Sequence, residues 1–258
     1  MDQVTKIVSK SGNGAIVYVP SKWMNRKVSV NLIDIDIMEE LFYLLKPYLK
    51  YVIGLYLYGS YARNEEMEDS DIDILIVVNK KFKLKPNRFD IHLVEINSLE
   101  KIKNNDPLLF YSIIKESRVL INEYLLETFK KVDVNKLNFS WFIDTSKSAL
   151  KIDKKLLELD RDLEKYAPNS SIYSIILRAR GFYLMKCIKE KRDYTNKDFL
   201  NFLISLGFEK KFIEYAYRIY RAAKIDKEID LKIPLDYTYR LCLKIEELIK
   251  KYEKRKKS

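Results

Sequence analysis

The sequence predicts an α/β (α+β) domain followed by an α-helical bundle, with a small β unit ahead of both. Three observations carry this reading. Polar and apolar residues alternate with a period of two through residues 1–35. Between 36 and 125, stretches of helical period take turns with short runs rich in Ile, Val, Leu and Tyr. From 136 to 258 the helical period continues almost without a break. The chain therefore divides into a β-hairpin unit (1–35), a central domain (36–125) and a helical bundle (136–258).

The elements follow in order. "TKIVSK" (5–10), "AIVYVPS" (15–21) and "RKVSVNLI" (26–33) read as strands, "SGNG" as the turn between the first two, and Pro20 as the end of the second. "DIMEELFYLLKPYL" (36–49) carries Ile37, Leu41, Leu44, Leu45 and Tyr48 at helical spacing, with Asp36 as N-cap. "YVIGLYLYG" (51–59), "IDILIVV" (72–78), "RFDIHLVEI" (88–96) and "RVLINE" (118–123) are strands. "DPLLFYSIIKES" (106–117) is a helix with Pro107 in its first turn. Five helices fill the bundle, at 140–165, 171–191, 196–205, 209–224 and 235–256. They are separated at "APNSS", "KRDYTN", "SLG" and "KIP".

Composition bounds the function. With 258 residues, 47% of them apolar, the chain can bury a sizeable core. Its net charge of +11 points to a polyanionic partner such as a nucleotide, a nucleic acid or an acidic protein. Cys187 and Cys242 are the only cysteines, so neither a disulfide framework nor a zinc cluster is expected. No apolar run reaches the roughly 20 residues of a membrane span, and the start "MDQVTKIVSKSG" lacks the apolar segment of a secretory signal. These features predict a soluble cytoplasmic protein.

The chemistry concentrates in "LYLYGSYARNEEMEDSDIDILIVV" (55–78). Five acidic side chains (Glu65, Glu66, Glu68, Asp69 and Asp71) fall within seven residues of a basic chain. A strand ends at Tyr58. Gly59 permits close approach of a ligand to the backbone, Ser60 offers a hydroxyl and an N–H, and a helix starting here would aim amides at an anion. Arg63 lies one turn on and can reach the same anion. Residues i and i+2 of a strand share a face, so the Asp71 and Asp73 carboxylates converge and call for a divalent cation, for which hard oxygen ligands suit Mg²⁺. Asp90, between Phe89 and Ile91 on the next strand, is the candidate third carboxylate, and His92 shares its face. Glu65 to Asp69 read as loop solvation.

"GSYARNEEMEDSDIDILIVV" resembles the signature of the DNA polymerase β-type nucleotidyltransferase superfamily, and in particular of minimal nucleotidyltransferases. The matching residues are Gly59, Ser60, Ala62, Arg63, Ser70, Asp71 and Asp73, with the spacing from Gly-Ser to Asp-x-Asp intact. Asn64 stands where the family often has Gly, a departure that Asn tolerates through its access to left-handed backbone. The resemblance implies a mixed sheet and a Mg²⁺-dependent transfer. Gly59 and Ser60 would hold the β- and γ-phosphates of a nucleoside triphosphate, ATP first among them. Asp71 and Asp73 would hold two Mg²⁺ ions. Asp90 would bind the metal at the attacking hydroxyl and help to deprotonate it. Attack on the α-phosphorus would release pyrophosphate.

The helical half resembles the HEPN-like and kanamycin-nucleotidyltransferase-like bundles. It contains no histidine, so no nuclease activity is expected of it; walling the acceptor pocket or forming a homodimer remains, with "FIEYAYRIYRAAK" (212–224) as a candidate pocket wall. "KSGNGAIVYVPSKWMNRKVSV" resembles the AbrB family of swapped-hairpin DNA-binding proteins, with Lys6, Lys10, Lys22, Arg26 and Lys27 as possible phosphate contacts. The acceptor hydroxyl could belong to a protein, a small molecule or an RNA 3′ end; the charge favours the last, whereas the chain is short for it. The alternative is a dimeric DNA-binding regulator or antitoxin-like protein whose nucleotide site only senses.

Overall fold

The computed structural model describes residues 4, 6, 8–30, 37–66, 70–85, 88–131, 133, 137–161, 164–225 and 227–257. Contacts divide the chain into two compact units, Met1–Tyr43 and Leu44–Ser258.

In the first unit, β1 (Ser9–Ser11) and β2 (Gly14–Ile16) pair antiparallel, with Ser11 opposite Gly14. The expected turn forms, and Gly12 supplies the left-handed residue it needs, at φ +56°. The strands are shorter than their apolar alternation suggests, and every residue in them is exposed. A two-stranded ribbon without a buried face gains little from extension. Of the third expected strand, residues 26–30 are irregular, and 31–33 lie outside the described residues, as does Asp36. Helix α1 (Ile37–Leu45) ends earlier than its apolar spacing predicts, in a 3₁₀ segment, Lys46–Tyr51. Pro47 explains the change, because it lacks the N–H that would continue the α ladder.

The second unit is built on a four-stranded sheet ordered β5 (Phe89–Glu95), β4 (Ile72–Val78), β3 (Val52–Tyr58), β6 (Arg118–Ile121). β4 and β5 run parallel, whereas β3 is antiparallel to both β4 and β6, so the sheet is mixed. β3 and β4 read as continuous apolar runs because both faces of each are covered. Leu55, Leu57, Ile74, Ile76 and Val78 are buried on one face. On the other, Tyr56, Tyr58, Leu75, Val77 and Val94 pack with Leu99, Ile102, Ile113, Leu126 and Phe129. Those last residues come from α3 (Leu99–Asn105), α4 (Pro107–Glu116) and α5 (Glu123–Lys130). Two of these helices, α3 and α5, go beyond the elements the sequence pattern predicts. The local signal for α5 was Asn122, which sits in left-handed backbone at φ 69° and caps the helix by accepting from Leu125 N at 3.0 Å.

The bundle comprises α6 (Ser140–Asp160), α7 (Asn169–Lys189), α8 (Asn196–Ser205), α9 (Lys210–Lys224) and α10 (Leu235–Lys257). Helix α7 is the central one. Ile172, Ile175, Ile176, Ala179, Met185, Cys187 and Ile188 are all but fully buried in a core shared with Phe142, Leu150, Ile213, Ile219, Cys242 and Ile249. Gly181 lets α7 approach α6 closely, since a Cβ there would fall 2.5 Å from the Phe142 ring. The same core takes in Tyr111 of α4, so bundle and sheet unit are continuous. No helix among the described residues is long and apolar enough to cross a membrane.

Candidate active site

The site forms where β3 runs out. Tyr58 is still extended, Gly59 turns through φ +74°, and one turn of helix, α2 (Gly59–Ala62), follows. Two constraints make residue 59 a glycine: its backbone is left-handed, and a Cβ there would lie 1.9 Å from Asp73 Oδ2. The Asp73 carboxylate thus rests directly against the Gly59 backbone. After Arg63 the chain turns back through Asn64, whose φ of 54° is the left-handed conformation that the Gly-to-Asn departure required. Arg118 binds the Asn64 side chain and, through Nε, donates to Ala62 O at 3.0 Å, fixing the loop to β6.

Asp73 stands opposite Tyr58 on one side and opposite Asp90, its parallel register partner, on the other. Register partners share a face, so the two carboxylates are neighbours on β4 and β5. Burial, together with the negative charges of Asp90 and Asp71, pushes the Asp73 carboxyl up to about 6, even though Lys224 acts to lower it. Tyr58 is likewise driven upward, by burial and by Asp73 and Asp90. Asp71 precedes β4 and has Lys224 Nζ 3.9 Å away. Asp90 is exposed, and His92 tilts against Tyr58 with ring centres 6.1 Å apart. Among the described residues no three Asp, Glu, His or Cys side chains are already gathered in metal-binding geometry.

A cavity of about 520 Å³ opens in front of Gly59. Gly59, Ser60, Arg63, Ser70, Asp71 and Asp73 line it from the sheet side, and Arg180, Tyr217, Arg218, Tyr220, Arg221 and Lys224 from the bundle. Of the six expected catalytic and nucleotide-binding residues, Gly59, Ser60, Arg63, Asp71, Asp73 and Asp90, only Asp90 is absent from the lining, standing beside Asp73 on the next strand. The helix expected as a pocket wall does line the cavity: it is α9, which buries Ile213, Ala216 and Ile219 and brings Tyr217, Arg218 and Arg221 to the lining. Arg221 donates to Ser70 Oγ at 3.1 Å.

The acidic loop behaves differently from its reading as solvation. Glu65 accepts from Arg63 Nε at 2.9 Å with one oxygen and from Asn196 N, at the start of α8, at 3.0 Å with the other. Arg63 also pairs with Glu116 of α4; the two side chains are only 11% and 10% exposed. Arg63 therefore lines the cavity with its charge already met by two carboxylates. Glu66 is exposed, and Glu68 and Asp69 lie outside the described residues. Sequence reasoning passed over Glu116 and Arg180, and read Glu65 as solvation. Arg180 had one available signal, a cation inside the apolar helical stretch "IILRARGFYLM".

A Gly-Ser turn thus closes one strand against an Asp-x-Asp on the next, within a mixed sheet flanked by helices, as the sequence motif led us to expect. The model of the nucleotidyltransferase domain family matches residues 35–167, just over half of the chain, and the protein belongs to that family. No curated protein matches the sequence. Among solved structures, the spectinomycin adenyltransferase AAD(9) from Enterococcus faecialis, crystallised with ATP and spectinomycin, aligns at a TM-score of 0.43 and 16% identity, covering 83% of this chain and 96% of that one. A nucleotidyltransferase-like protein from Exiguobacterium sibiricum 255-15 aligns at 0.31 and 12%, covering 83% of this chain and 75% of that one.

Proposed function

We propose that the protein transfers a nucleoside monophosphate from a nucleoside triphosphate, ATP first among candidates, to a hydroxyl acceptor and releases pyrophosphate, with Mg²⁺ as cofactor. The observation that carries this is the contact of Asp73 with the Gly59 turn, in register with Asp90. It sets carboxylates beside a glycine backbone open to phosphate, within a cavity otherwise rich in Arg and Lys.

The residues fit a divalent cation. Asp71 and Asp73 offer hard oxygen donors at one end of the cavity, Asp90 is the register partner of Asp73 on the next strand, and the tight Gly59–Asp73 contact leaves no room for a side chain between carboxylate and turn. These three residues would hold the metal, which when bound would offset charge on the entering and leaving oxygens. Gly59 and Ser60 would bind the β- and γ-phosphates through backbone and hydroxyl. Lys224 and Arg221 reach the same end from α9 and would balance the charge of the triphosphate. Asp90, on the exposed flank, would take the proton of the incoming hydroxyl. Phosphoryl-type transfer asks the protein mainly to position and to stabilise charge, and this cavity supplies groups for both.

The test is incubation with Mg²⁺ and each labelled triphosphate, following pyrophosphate release and label transfer to RNA ends, small hydroxyl compounds and the protein itself. Asp71→Ala and Asp73→Ala should abolish both signals. Absence of triphosphate binding in calorimetry, with Asp71→Ala indistinguishable from wild type, would refute the reading.

A further inference from the structure

We propose that the crossover between β4 and β5 is a track for the phosphate backbone of single-stranded nucleic acid. This goes beyond the transfer reading and uses none of its residues. Strands β4 and β5 run parallel, with Ile72 opposite Phe89 and Val78 opposite Glu95. The connection from 79 to 88 therefore has to return along the length of the sheet. Its sequence, "NKKFKLKPNR", holds five cations and no acid. Lys80, Lys81, Lys83 and Lys85 are exposed, whereas Phe82 and Leu84 are half-buried. Such alternation is that of an extended chain, in which every second side chain points the same way. Lys81, Lys83 and Lys85 thus form a row at steps of roughly 6.5 Å. Successive phosphates of a stretched single strand have a comparable spacing.

The row is anchored to the body of the protein. Asn79 N donates to Tyr51 O at 3.0 Å. The Phe82 ring stacks on Tyr48, with centres 4.3 Å apart and planes within 5° of parallel. Tyr48 and Tyr51 belong to the 3₁₀ segment Lys46–Tyr51, which adds Lys46 and Lys50 and likewise contains no acid. Lys50 Nζ and Lys80 Nζ lie 5.1 and 5.9 Å from the centre of the Tyr51 ring, so the two ammonium groups meet at one aromatic face. Among the described residues, none of Lys46, Lys50, Lys80, Lys81, Lys83 and Lys85 pairs with a carboxylate. Helix α10 differs: Lys244, Lys250 and Lys251 each pair with a glutamate of the same helix. None of the six unpaired lysines lines the cavity. Like charges held together without counter-charges repel, and a polyanion would relieve that repulsion. Phe82 and Leu84 pack inward, so the row offers no apolar side chain to enter a bilayer or to anchor a protein interface. Charge alone remains, and charge alone suffices to hold a nucleic-acid backbone.

The test is fluorescence anisotropy of labelled oligouridylate, oligodeoxythymidylate and a mixed-sequence duplex, titrated with the full chain at several salt concentrations. Triphosphate and Mg²⁺ are left out, so the result does not depend on transfer. Phosphatidylserine vesicles are tested alongside by sedimentation. The triple variant Lys81→Gln, Lys83→Gln, Lys85→Gln should lose at least about tenfold in single-strand affinity. Its slope of log affinity against log salt should shrink by about 2, three contacts at about 0.7 each. All three positions are exposed, so its thermal melt should match that of the wild type. A control variant, Lys151→Gln, Lys155→Gln, Lys211→Gln, removes three exposed lysines from the bundle and should bind as wild type does. Equal affinity for the two single strands supports recognition of the backbone alone, and a preference for one assigns the source as RNA or DNA. Wild-type affinity and slope in the crossover variant overturn the proposal. So do an equal loss in the control variant, tighter binding of the duplex, or binding of the vesicles without the single strands. Failure of the wild type to release pyrophosphate would remove the transfer reading and leave this measurement standing.

Discussion

Gly59 and Asp73 occupy adjoining space so closely that neither tolerates a larger neighbour. Gly59→Ala would drive a methyl into Asp73 Oδ2 and force φ +74° on a residue with a side chain. We expect it to unfold at lower temperature and to lose triphosphate binding together, as calorimetry and thermal melts would show. Asp73→Asn keeps the shape and removes the charge, and transfer should fall by on the order of 10²–10³-fold or more in kcat, the scale of losing one charge-stabilising group. The same carboxyl gives stability a pH dependence. Its pKa in the fold is about 6 against 3.8 when unfolded, so between these values the folded state holds a proton the unfolded state has released. Metal-free protein should therefore lose stability as pH rises through that window and level off above it. Melts in EDTA from pH 4 to 7 would show the slope, and Asp73→Asn should flatten it. An unchanged slope in that variant would refute the assignment.

Among the elements, the loop at 63–65 ties two helices, α4 and α8, to the Gly59 turn. Glu65→Ala leaves Asn196 N and Arg63 Nε without their acceptor, which costs about 1–3 kcal/mol. Because α8 and the turn would then shift against each other, we expect the KM for the triphosphate to rise more than kcat falls, measurable by steady-state kinetics. Helix α7 is the structural axis of the bundle. Ile176→Ala, at a fully buried position, should cost about 2–5 kcal/mol in denaturant titration. Much at this scale was legible in the sequence. The apolar runs of β3 and β4 were long enough to declare themselves, and α8 falls at 196–205 as its spacing predicts. Helices α3 and α5 were not legible because they are short and only half-buried. Their apolar residues, such as Leu99, Leu126 and Phe129, make sense only against the sheet they cover.

For the whole molecule, the strands of the hairpin are exposed at every residue, so removing them should uncover little apolar surface elsewhere. A chain beginning at residue 31 retains α1 and should fold and bind triphosphate as the full chain does, with circular dichroism and calorimetry as the checks. The net charge of +11 acquires a location as well, since six Arg and Lys side chains line the cavity. Arg63 came from the recognised motif, and Arg218, Arg221 and Lys224 from a helix suspected as a wall. Arg180 and Lys227 came from neither.

The sequence by itself determined the strand–turn–strand unit and the identities of Gly59, Ser60, Asp71 and Asp73. These lie within one short segment, where alternation and backbone conformation are local properties. Strand register and helix packing decide that Asp90 pairs with Asp73, that Glu65 ties the turn to α8, and that Arg180 lines the cavity. Those relations join residues 17 to more than 100 positions apart, as in the Asp73–Asp90 pairing and the Glu65–Asn196 bond. No periodicity encodes them; they follow from how strands register and helices pack once the chain has buried its apolar faces.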